Sequence, residues 1–169
     1  MRMKAKIAVL ILALALVCHS CGIYSFSGAS IPAEAKTVSV AYFPNHAQLI
    51  NPLLSNDFST ALRDAMMNQT PLDMVDEGGD LAFEGEITDY KTTPVAITAT
   101  QTAAMNRLTI TVKVRFSNRF DDTKDFEQSF SHYEDYPSDQ DLNAVQENLT
   151  PLIIEALVED IFNKALVNW

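Results

Sequence analysis

Four cations fall within thirteen positions of an otherwise acidic chain: Arg107, Lys113, Arg115 and Arg119. All four are odd-numbered, so a strand would hold them on one face, with Lys113 and Arg115 about 6–7 Å apart. Guanidinium forks and ammonium groups at that spacing suit phosphate oxygens, whether on a glycolipid or on a partner. The competing arrangement is a solvated ladder of cross-strand ion pairs with Glu84, Glu86 or Glu127. The second chemical signal is Cys21, which sits between Ser20 and Gly22 just after an apolar run. A thiol in that setting suits acylation better than nucleophilic catalysis.

Other reactive patterns are missing from the sequence. There is no glycine-rich phosphate loop, no zinc signature and no serine nucleophile elbow. The histidines, His19, His46 and His132, do not form a metal-spaced cluster. Asp76-Glu77-Gly78-Gly79-Asp80 lacks the regular oxygen spacing of a calcium loop and reads as a solvated turn. We therefore expect no catalytic residue, no metal and no cofactor. A formal charge of −10 also argues against nucleic acid as a partner.

The N-terminus explains why Cys21 matters. Arg2, Lys4 and Lys6 form a positive start, and Ile7 to Val17 is an unbroken apolar run of eleven residues. A helix needs about 20 such residues to cross a bilayer, so residues 1–20 read as a signal peptide. Ser20 at −1 and Cys21 at +1 make a relaxed lipobox, with Cys18 where Leu is usual. Cys18 fits less well as the acceptor, because branched Val17 precedes it. Processing before Cys21 removes three cations and takes the formal charge from −10 to −13. Each buried CH₂ of an acyl chain such as palmitate contributes about 0.8 kcal/mol, so several chains hold a protein on a membrane. With Gly22 and Ile23 following the cysteine, outer-membrane placement is expected over inner-membrane retention.

The elements that must position these groups follow from periodicity. Residues 21–36 are small and polar and read as a lipidated tether, leaving 37–169 as a single domain. Thr37 to Phe43 alternates as a strand. A helix is expected from about Asn51-Pro52 or Ser55 to before Thr70-Pro71. Leu54, Phe58, Ala61, Leu62, Ala65 and Met66 share its apolar face, with Asn56, Ser59, Thr60 and Arg63 opposite. Short strands follow at Leu72–Val75 and from Leu81. Residues 92–106 carry no charge and suggest two strand ends joined by a hairpin around Ala96 to Ala104. Arg107 to Ser117 is a long strand with Leu108, Ile110, Val112, Val114 and Phe116 inward, and Phe126 to Tyr136 is another. The C-terminal third is helical, either as two helices or as one kinked at Pro151, with a start near Ser138 and Asp141. The sum is an α+β fold: an antiparallel sheet of about four to five strands with two principal helices packed on one face.

Several segments together suggest a family. Cys21-Gly22-Ile23-Tyr24-Ser25-Phe26-Ser27-Gly28, then Lys36-Thr37-Val38-Ser39-Val40 and Phe43-Pro44-Asn45, resemble the start of LptE-type lipopolysaccharide-assembly lipoproteins. Asp80-Leu81-Ala82-Phe83-Glu84-Gly85-Glu86-Ile87 with Tyr90, the stretch Asn106 to Val112, and Ile161-Phe162-Asn163-Lys164 extend the likeness over nearly all of the mature chain. The resemblance implies a plug inside the lumen of an LptD-like outer-membrane β-barrel. Such a plug helps that barrel fold, binds lipopolysaccharide and assists its passage to the outer leaflet, without cofactor or catalysis. The uncharged hairpin would then reach into the lumen. Two other classes stay open: an accessory lipoprotein of another envelope transport or secretion complex, and a periplasmic hydrolase with an unrecognised site.

Overall fold

The computed structural model describes residues 31–95 and 104–167. The signal peptide, Cys21, the tether up to residue 30 and all but Ala104 of the expected hairpin lie outside the described residues. The chain runs β1 (Thr37–Val40), α1 (Leu54–Gln69), β2 (Asp73–Val75), β3 (Leu81–Val95), β4 (Met105–Asn118), β5 (Phe126–Pro137) and α2 (Leu142–Leu166). The five strands form one sheet in the order β2-β1-β3-β4-β5. Both helices cover the same face, α2 against β4 and β5 and α1 against β1 and β2, with the helices touching each other. This is the α+β arrangement expected.

The long antiparallel part follows from β4, whose alternation buries Leu108, Ile110, Val112, Val114 and Phe116. Strands β3 and β5 pair antiparallel on either side of it. The sheet is nevertheless mixed, because β1 pairs parallel with both β2 and β3. Helix α1 supplies the crossover that returns the chain to a parallel β2. Residues 76–80 then cross back close to β1. There Asp80 Oδ2 accepts from the amides of Lys36 (2.9 Å) and Thr37 (3.1 Å), while Gly79 donates to Ser39 Oγ (3.1 Å). A Cβ on Gly79 would lie 2.5 Å from the Ser39 nitrogen, so only glycine passes so near.

One helix expectation changes. Ser59, placed by periodicity on the outer side of α1, is fully buried. Its hydroxyl donates to the Ser55 carbonyl (2.7 Å) and accepts the Phe43 amide (3.0 Å), so it bonds α1 to the segment after β1. A small polar residue can enter the core here because both its donor and its acceptor are satisfied. Of the arrangements left open for the C-terminal region, the structure has one continuous helix through Pro151, which starts at Leu142, four residues after Ser138, under an N-cap by Asp141 that accepts the Asn143 amide (2.8 Å). Leu152 is exposed on this helix, and Ile154 and Val158 are buried.

Candidate functional site

The outer face of the sheet carries what polar chemistry the fold presents. Strand β4 alternates with period two, so packing its aliphatic residues under the helices turns Arg107, Thr109, Thr111, Lys113 and Arg115 outward. The flanking strands bring acids beside them. Arg115 stands opposite Glu84 of β3 and Glu127 of β5, and Lys113 opposite Glu86 and Ser129. Arg107 stands opposite Asp135.

Each cation of the stripe has a carboxylate partner. Arg107 makes a two-pronged bond to Asp135, with Nε at 2.7 Å and Nη2 at 2.9 Å, and its guanidinium lies 3.5 Å above the centre of the Tyr133 ring. Lys113 bonds Glu127, and Arg115 reaches Glu84 at 3.1 Å. Arg119 lies one residue beyond β4 and points at Asp80 from 3.7 Å. It stands at the end of the sheet where β3 begins, apart from the other three. Thr111 and Ser131 share a hydroxyl–hydroxyl bond of 3.0 Å between the charged pairs.

These pairings set the protonation states. The Arg107 hydrogen bonds hold the Asp135 carboxyl below the ordinary carboxylate range, and Asp135 in turn raises the guanidinium. Glu127 is lowered by Lys113, and Lys113 is raised by Glu127. Asp80 is lowered chiefly by the Lys36 amide, with Thr37 and Arg119 adding to it. The pairs at Lys113 and Arg115 are roughly half exposed on both sides, so they bind loosely and exchange readily for other anions. The Arg107 pair is about one-third exposed and has a ring behind it, which makes it the best-fixed of the set.

A shallow depression of about 290 Å³ lies over this face between Pro44, Glu84, Glu86, Lys113, Arg115 and Glu127. The two histidines among the described residues sit at its margins or beyond. His46 lies 3.6 Å from Glu86, and His132 lies 2.7 Å from Asp160 of α2. Each touches a single carboxylate, and among the described residues no group of three histidine, cysteine or acidic side chains could hold a metal.

The structure therefore gathers Arg107, Lys113 and Arg115 on one face and leaves Arg119 at its end. The sequence pointed to Glu84, Glu86 and Glu127 as partners but not to Asp135 or Asp80. Asp135 has the same parity as Glu127 and Tyr133, so its face was readable. Its partner was not, because the pairing register of β4 with β5 is set by packing and turn geometry far from the charges.

Comparisons with known proteins bear on this arrangement. A family model described as LptE, lipopolysaccharide-assembly, matches residues 35–165. No curated protein matches the sequence. Among solved structures, a hypothetical protein from Chlamydia trachomatis is similar with a TM-score of 0.57 at 10% identity, covering 79% of this chain and 99% of that one. A minor lipoprotein from Acinetobacter baumannii is similar with a TM-score of 0.51 at 14% identity, covering 79% and 92%. A neuraminyllactose-binding hemagglutinin homologue from Helicobacter pylori also scores 0.51, at 8% identity over 83% and 88%. At these identities the structural likeness establishes the fold alone.

Proposed function

The chain belongs to the LptE lipopolysaccharide-assembly family, and from that premise we propose that it plugs and helps assemble an LptD-like outer-membrane β-barrel. In this reading acylated Cys21 holds the protein on the outer membrane, and the domain faces the periplasm or the barrel lumen. There it assists lipopolysaccharide towards the outer leaflet. The observation that carries the reading is the family match from residue 35 to residue 165, which spans the whole sheet and both helices but for the last residue of α2. The lipobox around Cys21 supports the anchor.

Lipopolysaccharide contact is assigned to the outer sheet face. The cations there already hold carboxylates, so phosphate would bind by exchange: Arg115 releases Glu84 and Lys113 releases Glu127 to take phosphate oxygens. Exchange between exposed groups is weak and salt-sensitive, which suits a ligand that must be passed on. No proton transfer is needed, and we propose that the protein works without catalysis.

The first experiment is a mild-detergent pull-down of the tagged, membrane-anchored protein. A heat-modifiable β-barrel copurifying stoichiometrically, and failing to mature on depletion, is the expected result. Stoichiometric capture of a different envelope transport or secretion complex would refute the barrel assignment. For the glycolipid, Lys113→Ser with Arg115→Ser should weaken binding of labelled lipopolysaccharide. Unchanged binding by a folded variant would remove the sheet face from the reading.

A further inference from the structure

The helical side of the molecule carries a second feature, on the face away from the sheet. Helices α1 and α2 run side by side in the same direction, and a groove of about 680 Å³ lies between them. Its lining runs from Asp57 to Gln69 on α1 and from Pro151 to Asn163 on α2. Each stretch is twelve residue steps, or about 18 Å of helix. The floor is apolar: Ala61 and Ala65 on one side, Ile154, Val158 and Phe162 on the other. The two alanines are what leave the groove open, since a larger side chain at either would close it.

The rim has the opposite character. Asp57, Asp64, Glu155 and Glu159 stand around the floor, all exposed. None of the four has an ion-pair partner among the described residues. Among the described residues, no lysine or arginine lines the groove. On the sheet face every cation of the stripe is matched; here four carboxylates surround an apolar floor unmatched.

From this geometry we infer that the α1–α2 groove receives a cationic amphipathic segment of a partner polypeptide. Its apolar side chains cover the floor and its lysines or arginines meet the rim. Glu155 and Glu159 are one turn apart and Asp57 and Asp64 two turns apart, so a segment of about three turns with basic residues flanking one apolar stripe fits. Other occupants fit less well. An anionic glycolipid or phospholipid headgroup would meet four carboxylates. A second copy seated groove to groove would bring eight carboxylates together. The inference goes beyond the function proposed above and holds whichever envelope protein supplies the segment.

The test uses the full-length protein in its own cell envelope, with the photo-crosslinking residue p-benzoylphenylalanine placed at exposed Gln69 on the groove or at exposed Ser129 on the sheet. Crosslinked peptides are sequenced by mass spectrometry. The expected product at position 69 is a partner stretch with at least two lysines or arginines beside apolar residues. Combining Asp57→Asn, Asp64→Asn, Glu155→Gln and Glu159→Gln should cut its yield roughly tenfold, given that each exposed pair contributes little and four act together. Unchanged circular dichroism would confirm that the variant is folded. The inference is overturned by a crosslink from position 69 to lipid, to residues 1–30 of this chain or to a second copy. An amide-insensitive yield, or no crosslink at all, overturns it equally. A barrel caught from position 129 with nothing basic caught from 69 would reject the groove and keep the barrel reading. A basic segment of some other complex caught from 69 would do the reverse.

Discussion

Gly85 lies in the middle of β3, opposite Val114 of β4, with the ring of Phe43 close by. A Cβ built there sits 2.0 Å from the Lys113 carbonyl oxygen and 2.7 Å from a Phe43 ring carbon. A relaxed carbon–oxygen contact is about 3.3–3.6 Å, so Gly85→Ala must open at least one of the two contacts by more than 1 Å. Phe43 has little room to yield, because it is fully buried and packs edge-on against Phe58 with ring centres 5.1 Å apart. The carbonyl cannot rotate away as a side chain would, so β3 and β4 must part. Overpacking of a rigid site costs about 1–3 kcal/mol, and a backbone clash between interior strands belongs above that range, at about 4 kcal/mol. In a domain of this size that lowers the melting temperature by roughly 10–15 °C. Gly78→Ala is the control: its φ is +67°, but a Cβ there meets nothing within 4 Å, so it should cost only about 1–2 kcal/mol for the left-handed backbone. Urea titrations followed by far-ultraviolet circular dichroism would measure both. A cost for Gly85→Ala no larger than that for Gly78→Ala would refute the claim that close strand approach adds to the cost of a side chain at the positive φ (+158°) of position 85.

Two further outcomes follow from individual groups. The buried Thr150 hydroxyl has no hydrogen-bond partner among the described residues, so Thr150→Val should stabilise by about 1 kcal/mol and raise the melting temperature by a few degrees; a loss of stability would mean the hydroxyl is satisfied. Asp80, Glu127 and Asp135 all titrate below their ordinary values when folded, so their contribution is present above the unfolded-state values of about 3.9–4.3 and lost as pH falls through the lower folded ones. The urea midpoint should decline from pH 5 to pH 2, less so in Asp135→Asn; a flat profile would refute the pairing.

The parts of the fold that period two and period 3.6 govern were legible in the sequence, and the exceptions have physical causes. The face of β4 was readable because five inward aliphatic or aromatic residues alternate without a break. In β3 the alternation holds from Leu81 to Ile87, then a register shift between Ile87 and Asp89 resets it. Tyr90 is thereby buried on the Ile87 face, where its hydroxyl donates to Gln146 Oε1 of α2 (3.1 Å). Strict alternation would have sent it outward, and nothing local marks the bulge. Strand β1 was expected to run to Phe43 but ends at Val40. The chain still follows β3 beyond it, with Ala41 donating to Phe83 (2.9 Å) and Ile87 to Pro44 (2.9 Å). The parallel pairing of β1 depends on contacts between residues some forty positions apart, which local pattern does not encode.

Charge shows the same division more sharply. Each ionisable residue's face was readable, yet its partner depended on register, so the sequence left the stripe at Arg107, Lys113 and Arg115 open between an anion-binding patch and a ladder of pairs with Glu84, Glu86 or Glu127. Folding places carboxylates from β3 and β5 beside it and nearly cancels it. Among the described residues, unpaired negative charge lies instead on the helices, at positions 57, 64, 155 and 159, where sequence periodicity reads only an ordinary solvated face. An exposed acid on a helix usually needs no explanation, because water solvates it at no cost. Four around an apolar groove differ, since whatever covers the floor must also strip water from the rim and replace it with positive charge. The two faces therefore ask for different partners: exchangeable anions on the sheet, and a basic, partly apolar polypeptide on the helices.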